Sequence, residues 1–270
     1  MGIPLLLIAF LISFLLTPKT LVMLRDGGLT KSNFEGNIIP VGAGIIFSAV
    51  LTLTYFLFSL MGKIGSKAYI YLGFLSLVSL MGLLDDVAGN RNNTGFRGHL
   101  SVLLRTGEIS TGLWKAVLGG VIALLAAETL SVSINDIILN GLLLALATNF
   151  INLLDVQPGR SIKFFLFSSI LIILLYPSYS SDVLLFPLLG IVSAYFLYDV
   201  QGKAMMGDTG SNFLGMALGF SLISGENTGF RNLVLIMLIL LHFISEFFSF
   251  SRIIKKNKIL NFLDNLGRRG

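Results

Sequence analysis

The sequence predicts an all-α fold, a polytopic bundle of transmembrane helices, and two observations carry this prediction. Hydrophobic residues make up 54% of the 270 residues, and charged residues 12%, which is about half of the ~25% share in soluble domains. The apolar residues are grouped in runs close to the roughly 20 residues that a helix needs to cross a bilayer. With a mean hydropathy of +0.87, these features exclude a disordered chain, an ordinary soluble enzyme and a nucleic-acid-binding domain.

About nine apolar runs are candidates for membrane-spanning helices. Helices are expected because lipid offers no partners for backbone polar groups, and the alternating pattern of barrel strands is absent. We predict a single integral membrane domain over residues 1–270. The chain has no cysteine, which excludes disulfides and thiolate metal sites. The predicted spans lie near 3–17, 39–61, 68–84, 113–129, 136–154, 164–178, 183–198, 212–224 and 231–250.

The basic residues predict the orientation of these spans. Fifteen of the 19 Lys and Arg residues fall in one alternate set of loops, whereas the opposite set holds only Lys63, Lys67 and Arg231. Lys115 lies just inside a predicted span on the side of the first set. Because cytoplasmic loops carry an excess of basic residues, we expect an external amino terminus and a cytoplasmic carboxyl terminus. The loops assigned to the cytoplasm are 18–38, 85–112, 155–163, 199–211 and 251–270. Topology explains the basic excess, with anionic lipid or phosphate ligands as an addition.

Four aspartates lie where apolar spans meet the cytoplasmic boundary. Asp85 and Asp86 end the third span, Asp155 ends the fifth, and Asp208 precedes the eighth. Ionisable groups at such positions are costly and usually face a bundle interior or a wet cavity. Each one alone could cap a helix or pair with a lysine, but four on one side favour a functional site.

Oxygen-bearing side chains without cysteine or clustered histidine indicate a hard cation. Mg²⁺ commonly uses one or two carboxylates plus substrate phosphates, with Mn²⁺ as an alternative. Asn149, Asn152 and Asp155 follow one another at one-turn intervals, which suits a polar ligand, although asparagines also hold helices together in lipid. Residues 207–211, Gly-Asp-Thr-Gly-Ser, open a helix. Glycine lets backbone approach phosphate and a helix amino terminus favours anions, but this stretch is equally typical of a capped helix start.

In combination, these motifs resemble the polyprenyl-phosphate N-acetylhexosamine-1-phosphate transferases, of the glycosyltransferase family 4 type. These are membrane enzymes of wall and O-antigen synthesis that include phospho-N-acetylmuramoyl-pentapeptide transferase. The resemblance covers nearly the full chain, and Glu246 resembles a glutamate in the late helix of that family. The stretches that carry it are 33–44 with Ile-Pro-Val-Gly-Ala-Gly at 39–44, the aspartate pair in 82–86, the Asn-x-x-Asn-x-x-Asp motif in 149–159, and the Gly-Asp-x-Gly-Ser motif in 206–215.

The resemblance implies an enzyme that transfers a sugar-1-phosphate from a UDP-activated amino sugar to a polyprenyl phosphate and releases UMP, as in peptidoglycan biosynthesis. It implies Mg²⁺ on Asp208, and Asp85, Asp86 and Asp155 as the catalytic residues. The expected partners are the polyprenyl phosphate, the UDP-sugar and the bilayer, without nucleic acid, and a homodimer is a candidate assembly. The implied substrate contacts are Asn149, Asn152, Gly159, Arg160, Lys163, Gly210 and Ser211, and further candidate phosphate contacts are Lys19, Lys31, Arg97 and Arg105.

The sequence departs from the family pattern in three places. Residues 156–161, Val-Gln-Pro-Gly-Arg-Ser, lack the second acidic residue of the motif after Asp155. The histidine-rich motif of the last cytoplasmic loop is missing, and so is the final span of the commoner members. Arg268 and Arg269 are either substitutes for those histidines or a solvated basic tail.

These departures leave two alternatives to an enzyme. One is a non-catalytic descendant that binds lipid phosphate or nucleotide-sugar and regulates envelope synthesis. The other is a secondary transporter, which is the weaker alternative because transporters bind their substrates near the bilayer midplane.

Overall fold

The structure is a computed structural model that describes residues 1–33, 35–88, 111–225 and 227–268. Over these residues it is built from α-helices and one small antiparallel sheet, and a π-helical turn, Ser181–Leu185, runs directly into the seventh helix. The helices are α1 (Gly2–Asp26), α2 (Ile45–Leu60), α3 (Ser66–Ala88), α4 (Thr111–Glu128), α5 (Ile134–Leu154), α6 (Arg160–Leu175), α7 (Phe186–Val200), α8 (Gly207–Ile223), α9 (Thr228–Phe247), α10 (Phe250–Lys256) and α11 (Lys258–Asn265), and the strands are β1 (Thr30–Ser32) and β2 (Ile38–Pro40).

The prediction of an all-α polytopic protein agrees with this architecture, but the predicted number of nine spans is not confirmed. A helix lies at each predicted span, yet five of the described helices are long and apolar enough to cross a membrane. α6 and α8 have 16 and 17 residues, and both begin with polar residues at their first turn. The qualifying helices are Gly2–Asp26, Ser66–Val87, Ile134–Leu154, Ser181–Val200 and Thr228–Phe247.

Successive long helices run in opposite directions, which gives the bundle two distinct ends. At one end the amino group of Met1 lies 3.9 Å from Asp182 Oδ2, and we call it the Asp182 end. At the other, the Asp208 end, the carboxylate of Asp86 accepts a hydrogen bond from the backbone N–H of Asp208. The carboxyl ends of α3 and α5 and the amino end of α8 meet there. The four aspartates singled out in the sequence therefore lie at the same end.

Helix α8 is the centre of the bundle, because every residue from Thr209 to Ile223 is buried. Glycines allow its neighbours to approach the backbone directly. A Cβ at Gly215 would lie 2.6 Å from the backbone oxygen of Ala147 in α5, and a Cβ at Gly82 in α3 would collide with the backbone of Asp208. Small residues are typical of helix contacts in membranes, where packing must replace the hydrophobic driving force. This packing fixes the start of α8 against α3 and α5.

The β1–β2 hairpin and the segment after it support the start of α8 from another side. The backbone N–H of Met205 donates to Pro40 O at 2.8 Å, and the N–H groups of Ala43 and Gly44 donate to the carbonyls of residues 205 and 206. Gly44 also lies against Gly210 with no room for a Cβ. The stretch 39–44 that contributed to the family resemblance therefore has a structural role in holding the loop before α8.

Candidate active site

Side chains from four helices meet at Asp208. Lys115 of α4 donates to Asp208 Oδ2 and, at 3.2 Å, to Asp85 Oδ2 of α3. Asn152 Nδ2 of α5 donates to the same Asp208 oxygen at 3.2 Å. The side chains of Lys115, Asp85 and Asp208 are 27%, 32% and 25% exposed. We call these four residues the Asp208 cluster, and three of its side chains are partly exposed.

Asp86 has a different environment from its neighbour Asp85. Its side chain is buried, and it accepts hydrogen bonds from the backbone N–H groups of Asp208 and Thr209 and from Thr209 Oγ1 at 2.7 Å. It therefore caps the first turn of α8, whose N–H groups have no partners within the helix. A Cβ at Gly207, which has φ +68°, would collide with the Asp86 carboxylate. This geometry makes Asp86 a positioning residue for Asp208.

Asp155 lies in a separate network at the same end. Its Oδ1 accepts a hydrogen bond of 2.6 Å from Ser161 Oγ. The carboxylate of Asp199, which is 5% exposed, accepts a hydrogen bond of 2.7 Å from the backbone N–H of Gly159. Gly159 adopts a positive φ of +73°, so the loop after α5 can turn tightly around these two carboxylates. Burial and, next, the neighbouring charge of Asp199 raise the pKa of Asp155 well above its usual value.

Replacing Asp155 with Asn should stabilise the folded protein at alkaline pH. Because the folded-state pKa is raised, the carboxyl contributes stability below about pH 4, where the unfolded chain is also protonated. That contribution is lost as the pH rises through the folded-state pKa. The amide stays neutral and can still accept from Ser161, so we expect a higher melting temperature than the wild type at pH 8 and a smaller gain at pH 4. Asp182→Asn is the control, and equal gains at both pH values would contradict the assignment.

Arg160 and Lys163, two of the predicted substrate contacts, are held by the C-terminal part of the chain. Arg160 is 6% exposed and donates through Nε and Nη2 to the two oxygens of Asp264, both at 2.8 Å. Its Nη1 donates to Ser251 Oγ. Lys163 Nζ donates to the carbonyls of three residues at the end of α11, at 2.6 to 3.0 Å. The structure thus directs both cations at the segment 250–268, and their predicted role as substrate contacts stays a prediction.

Arg268 completes this arrangement, which we call the C-terminal clamp (Arg160, Lys163, Asp264 and Arg268). Its Nη2 donates to Asp264 Oδ1 and its Nε to Pro158 O, both at 2.8 Å. Burial alone would raise the pKa of Asp264, but the guanidiniums of Arg160 and Arg268 hold it below its usual value. The clamp ties α11 to the loop that follows Asp155, so Arg268 acts as a structural cation in this arrangement.

The remaining predicted residues have varied positions. Gly210 packs on Gly44, and the buried hydroxyl of Ser211 has no partner among the described residues. Asn149 and Lys19 are exposed, whereas Lys31 lies near enough to Asp86 to interact electrostatically. The candidates Arg97, Arg105 and Arg269 lie outside the described residues.

Sequence reasoning missed several residues that the structure brings to this end. Lys115 stood out only as a cation just inside an apolar span. Asp199 ends the span of α7, and that is the same signal that identified the other aspartates, so it could have been found. The contacts of Asp264 with Arg160 and of Thr209 with Asp86 had no local signal, because the paired residues are 104 and 123 residues apart in the sequence.

Comparison with known proteins identifies the family. The sequence model of glycosyl transferase family 4 matches residues 68–226, which is more than half of the chain. The chain belongs to glycosyl transferase family 4. The match to family 4 runs from the start of α3 to the end of α8 and includes all four residues of the Asp208 cluster. A comparison with curated proteins gives no match.

Membership of family 4 confirms the resemblance found in the sequence and assigns a sugar-phosphate transferase type of function. The matched region contains Asp86 and Asp155 as well as the Asp208 cluster. It excludes the β1–β2 hairpin and the helices α9 to α11. The clamp therefore joins the family 4 region to a segment outside it.

Asp85 and Asp208 are the residues of this family 4 site that could hold a magnesium ion. No group of three or more His, Cys, Asp or Glu residues could hold a metal ion within the described residues. Asp85 and Asp208, however, approach the same ammonium group, so one cation can contact both carboxylates. Mg²⁺ is usually bound by one or two carboxylates together with substrate phosphates and waters, so the site needs no complete protein cage.

Proposed function

We propose that this protein transfers a sugar-1-phosphate from a UDP-activated amino sugar to a polyprenyl phosphate and releases UMP at the cytoplasmic face of the plasma membrane. The observation that carries the proposal is the convergence of Asp85, Lys115, Asn152 and Asp208 at one end of the bundle. A partly exposed cluster with both signs of charge suits a diphosphate, and its place at the helix ends suits an acceptor anchored in lipid. The basic loops at this end support the cytoplasmic orientation.

In the proposed reaction an oxygen of the lipid phosphate attacks the β-phosphorus of the UDP-sugar. The bond from that phosphorus to the bridging oxygen breaks, and UMP leaves. Phosphoryl transfer depends mainly on positioning and on neutralising charge that develops in the transition state. Lys115 would donate to diphosphate oxygens, Asp85 would orient or deprotonate the lipid phosphate, and Asn152 would contact the nucleotide-sugar.

Asp208 would hold Mg²⁺, or Mn²⁺ as an alternative, and the bound ion would supply positive charge beside the diphosphate. Asp86 and Thr209 support this role through the hydrogen bonds that fix the first turn of α8. Asp155 would remain available as a base or as a contact to the nucleotide-sugar. Its raised pKa favours proton uptake at this position.

A donor panel tests the proposal directly. Purified protein in nanodiscs should release UMP from UDP-GlcNAc or UDP-MurNAc-pentapeptide when undecaprenyl phosphate and Mg²⁺ are present, and a lipid-linked product should form in equal amount. Omission of the lipid phosphate is the control. If a broad panel of UDP-sugars gave no turnover, the proposed reaction would be wrong.

One observation favours a second candidate, a non-catalytic member of the family that binds lipid phosphate or nucleotide-sugar and regulates envelope synthesis. The clamp engages Arg160 and Lys163, two cations that would otherwise be free for a diphosphate. Calorimetric binding of a UDP-sugar without UMP release would support this candidate over the enzyme.

Replacing Lys115 with Met should tighten the binding of Mg²⁺ while slowing turnover. The ammonium and a divalent cation compete for the same oxygens of Asp85 and Asp208. Removal of the ammonium also leaves two carboxylates that repel each other until a cation binds. We expect the Mg²⁺ concentration that gives half of the maximal rise in melting temperature to fall about tenfold, which is equivalent to about 1.4 kcal/mol of binding free energy. Lys67→Met at the Asp182 end is the matched control, and an unchanged midpoint in Lys115→Met would argue against a cation site.

A further inference from the structure

Helix α11 turns its polar side towards the protein and its apolar side outwards. Asp264 of the clamp is 8% exposed and points towards Arg160 and Arg268. Ile259, Phe262 and Leu263, together with Leu266 at the C-cap, have helical spacing on the opposite side and are 72%, 65%, 49% and 54% exposed. A helix that covers a protein core has the reverse arrangement, with its apolar stripe buried. The clamp holds this orientation, so the outward apolar stripe is a fixed feature of the structure.

The exposed charges around this stripe have one sign. The segment 250–268 contains a single acidic residue, Asp264, and its carboxylate is occupied by Arg160 and Arg268. The exposed charged residues of the segment are Arg252, Lys255, Lys256 and Lys258. An outward apolar stripe flanked by basic side chains is typical of a helix that lies in the interface of an anionic bilayer.

The position of the segment agrees with this kind of partner. α10 begins at Phe250, three residues after the end of α9 at Phe247. α9 is one of the helices long and apolar enough to span a membrane. With so short a connection, the segment stays at the level where the span leaves the bilayer. The eight residues of α11 are too few to cross a bilayer, which takes about 20 residues.

We propose that the segment Phe250–Leu266 lies on the membrane surface at the Asp208 end, with the apolar stripe of α11 inserted between lipids and its basic residues against anionic lipid headgroups. This inference goes beyond the proposed reaction and does not depend on it. Through the clamp, the inserted helix sets the height of the loop after Asp155 relative to the headgroups. The Asp208 cluster would then face the depth at which a lipid phosphate sits.

Spin labelling tests the insertion, because the chain has no cysteine and a single introduced one is unique. Phe262→Cys and the control Asn257→Cys, an exposed position on the side of α11 away from the stripe, are labelled with a nitroxide in nanodiscs of phosphatidylcholine and phosphatidylglycerol. We expect the label at position 262 to be accessible to oxygen and shielded from a water-soluble nickel complex, and the label at 257 to show the opposite. Equal access of the nickel complex to both labels would overturn the proposal.

A second copy of the chain is the competing occupant of the stripe. Unlabelled Phe262→Cys would then form a disulfide between two chains under mild oxidation, and that result would also overturn the proposal. Monomeric protein after oxidation supports insertion into lipid.

The role of the basic residues has its own measurement. Replacing phosphatidylglycerol with phosphatidylcholine should increase nickel access to the label at position 262 in the parent protein. In the background Lys255→Gln, Lys256→Gln, Lys258→Gln this dependence should disappear. If nickel access to the label at position 262 in the parent protein did not change on this lipid exchange, the proposed contact with anionic headgroups would be wrong. UMP release is not used in any of these tests, so failure here is distinguishable from failure of the proposed reaction.

Discussion

Asp208→Asn is expected to lower turnover by about 10³-fold, roughly 4 kcal/mol of transition-state stabilisation, the scale expected when a metal-bound charge is lost from phosphoryl transfer. The substitution removes the carboxylate that contacts both Lys115 and Asn152. The amide has nearly the same size, and the backbone N–H that binds Asp86 is unchanged. Folding should therefore be retained, and the initial rate of UMP release at saturating donor and acceptor measures the effect.

Two comparisons separate a catalytic loss from general damage. Asp182→Asn changes the charge by the same amount at the opposite end and should leave the rate unchanged. Asp208→Asn should also lose the Mg²⁺-dependent rise in melting temperature, which does not require turnover. Wild-type rates in the Asp208→Asn variant would refute its assignment as the metal ligand.

Arg160→Met is expected to destabilise the docking of α11 by about 3 kcal/mol, the lower limit for breaking one side of a buried ion pair. The lower limit applies because Asp264 keeps its contact with Arg268. Residues 251–268 should then become more accessible, and tryptic cleavage after Lys255, Lys256 or Lys258 should accelerate. Cleavage rates under native conditions measure the change. Arg252→Met removes an exposed cation from the same segment and should have little effect.

A double substitution shows whether this cost comes from the pair itself. Arg160→Met with Asp264→Leu removes both buried charges, and replacing a buried ion pair with apolar residues is often close to neutral. We expect the double variant to be more stable than the sum of the two single effects predicts. Strict additivity would mean that Arg160 and Asp264 are not coupled.

The membrane architecture could be predicted from the sequence because lipid imposes a simple rule. The run 136–154 has too few polar side chains to be exposed to water along its length. It forms helix α5 at Ile134–Leu154. The ends were less certain, since α6 begins at Arg160, within a segment expected to be a loop. Hydropathy responds to the cost of burying charge in lipid. A helix that starts at the membrane boundary includes polar residues that this criterion leaves out.

The candidate site was only partly predictable for a related reason. Asp85 and Asp86 have the same side chain at adjacent positions, yet one contacts Lys115 and the other caps α8. Their difference arises from the direction of each side chain on α3 and from the neighbours on each side. Local sequence does not show the direction of these side chains or their neighbours in the fold. Arg160 illustrates the same limit, because its partner Asp264 belongs to a distant helix.

The sequence by itself determined that this chain is an all-α membrane protein of the sugar-phosphate transferase type and that Asp85, Asp86, Asp155 and Asp208 lie at one end, because hydropathy and short motifs are local properties. Only the tertiary structure decided which of these groups meet. Lys115 joins Asp85 to Asp208, and the clamp joins α11 to the loop after Asp155. These contacts depend on how closely helices distant in sequence can pack, and glycines such as Gly82 and Gly215 set that distance.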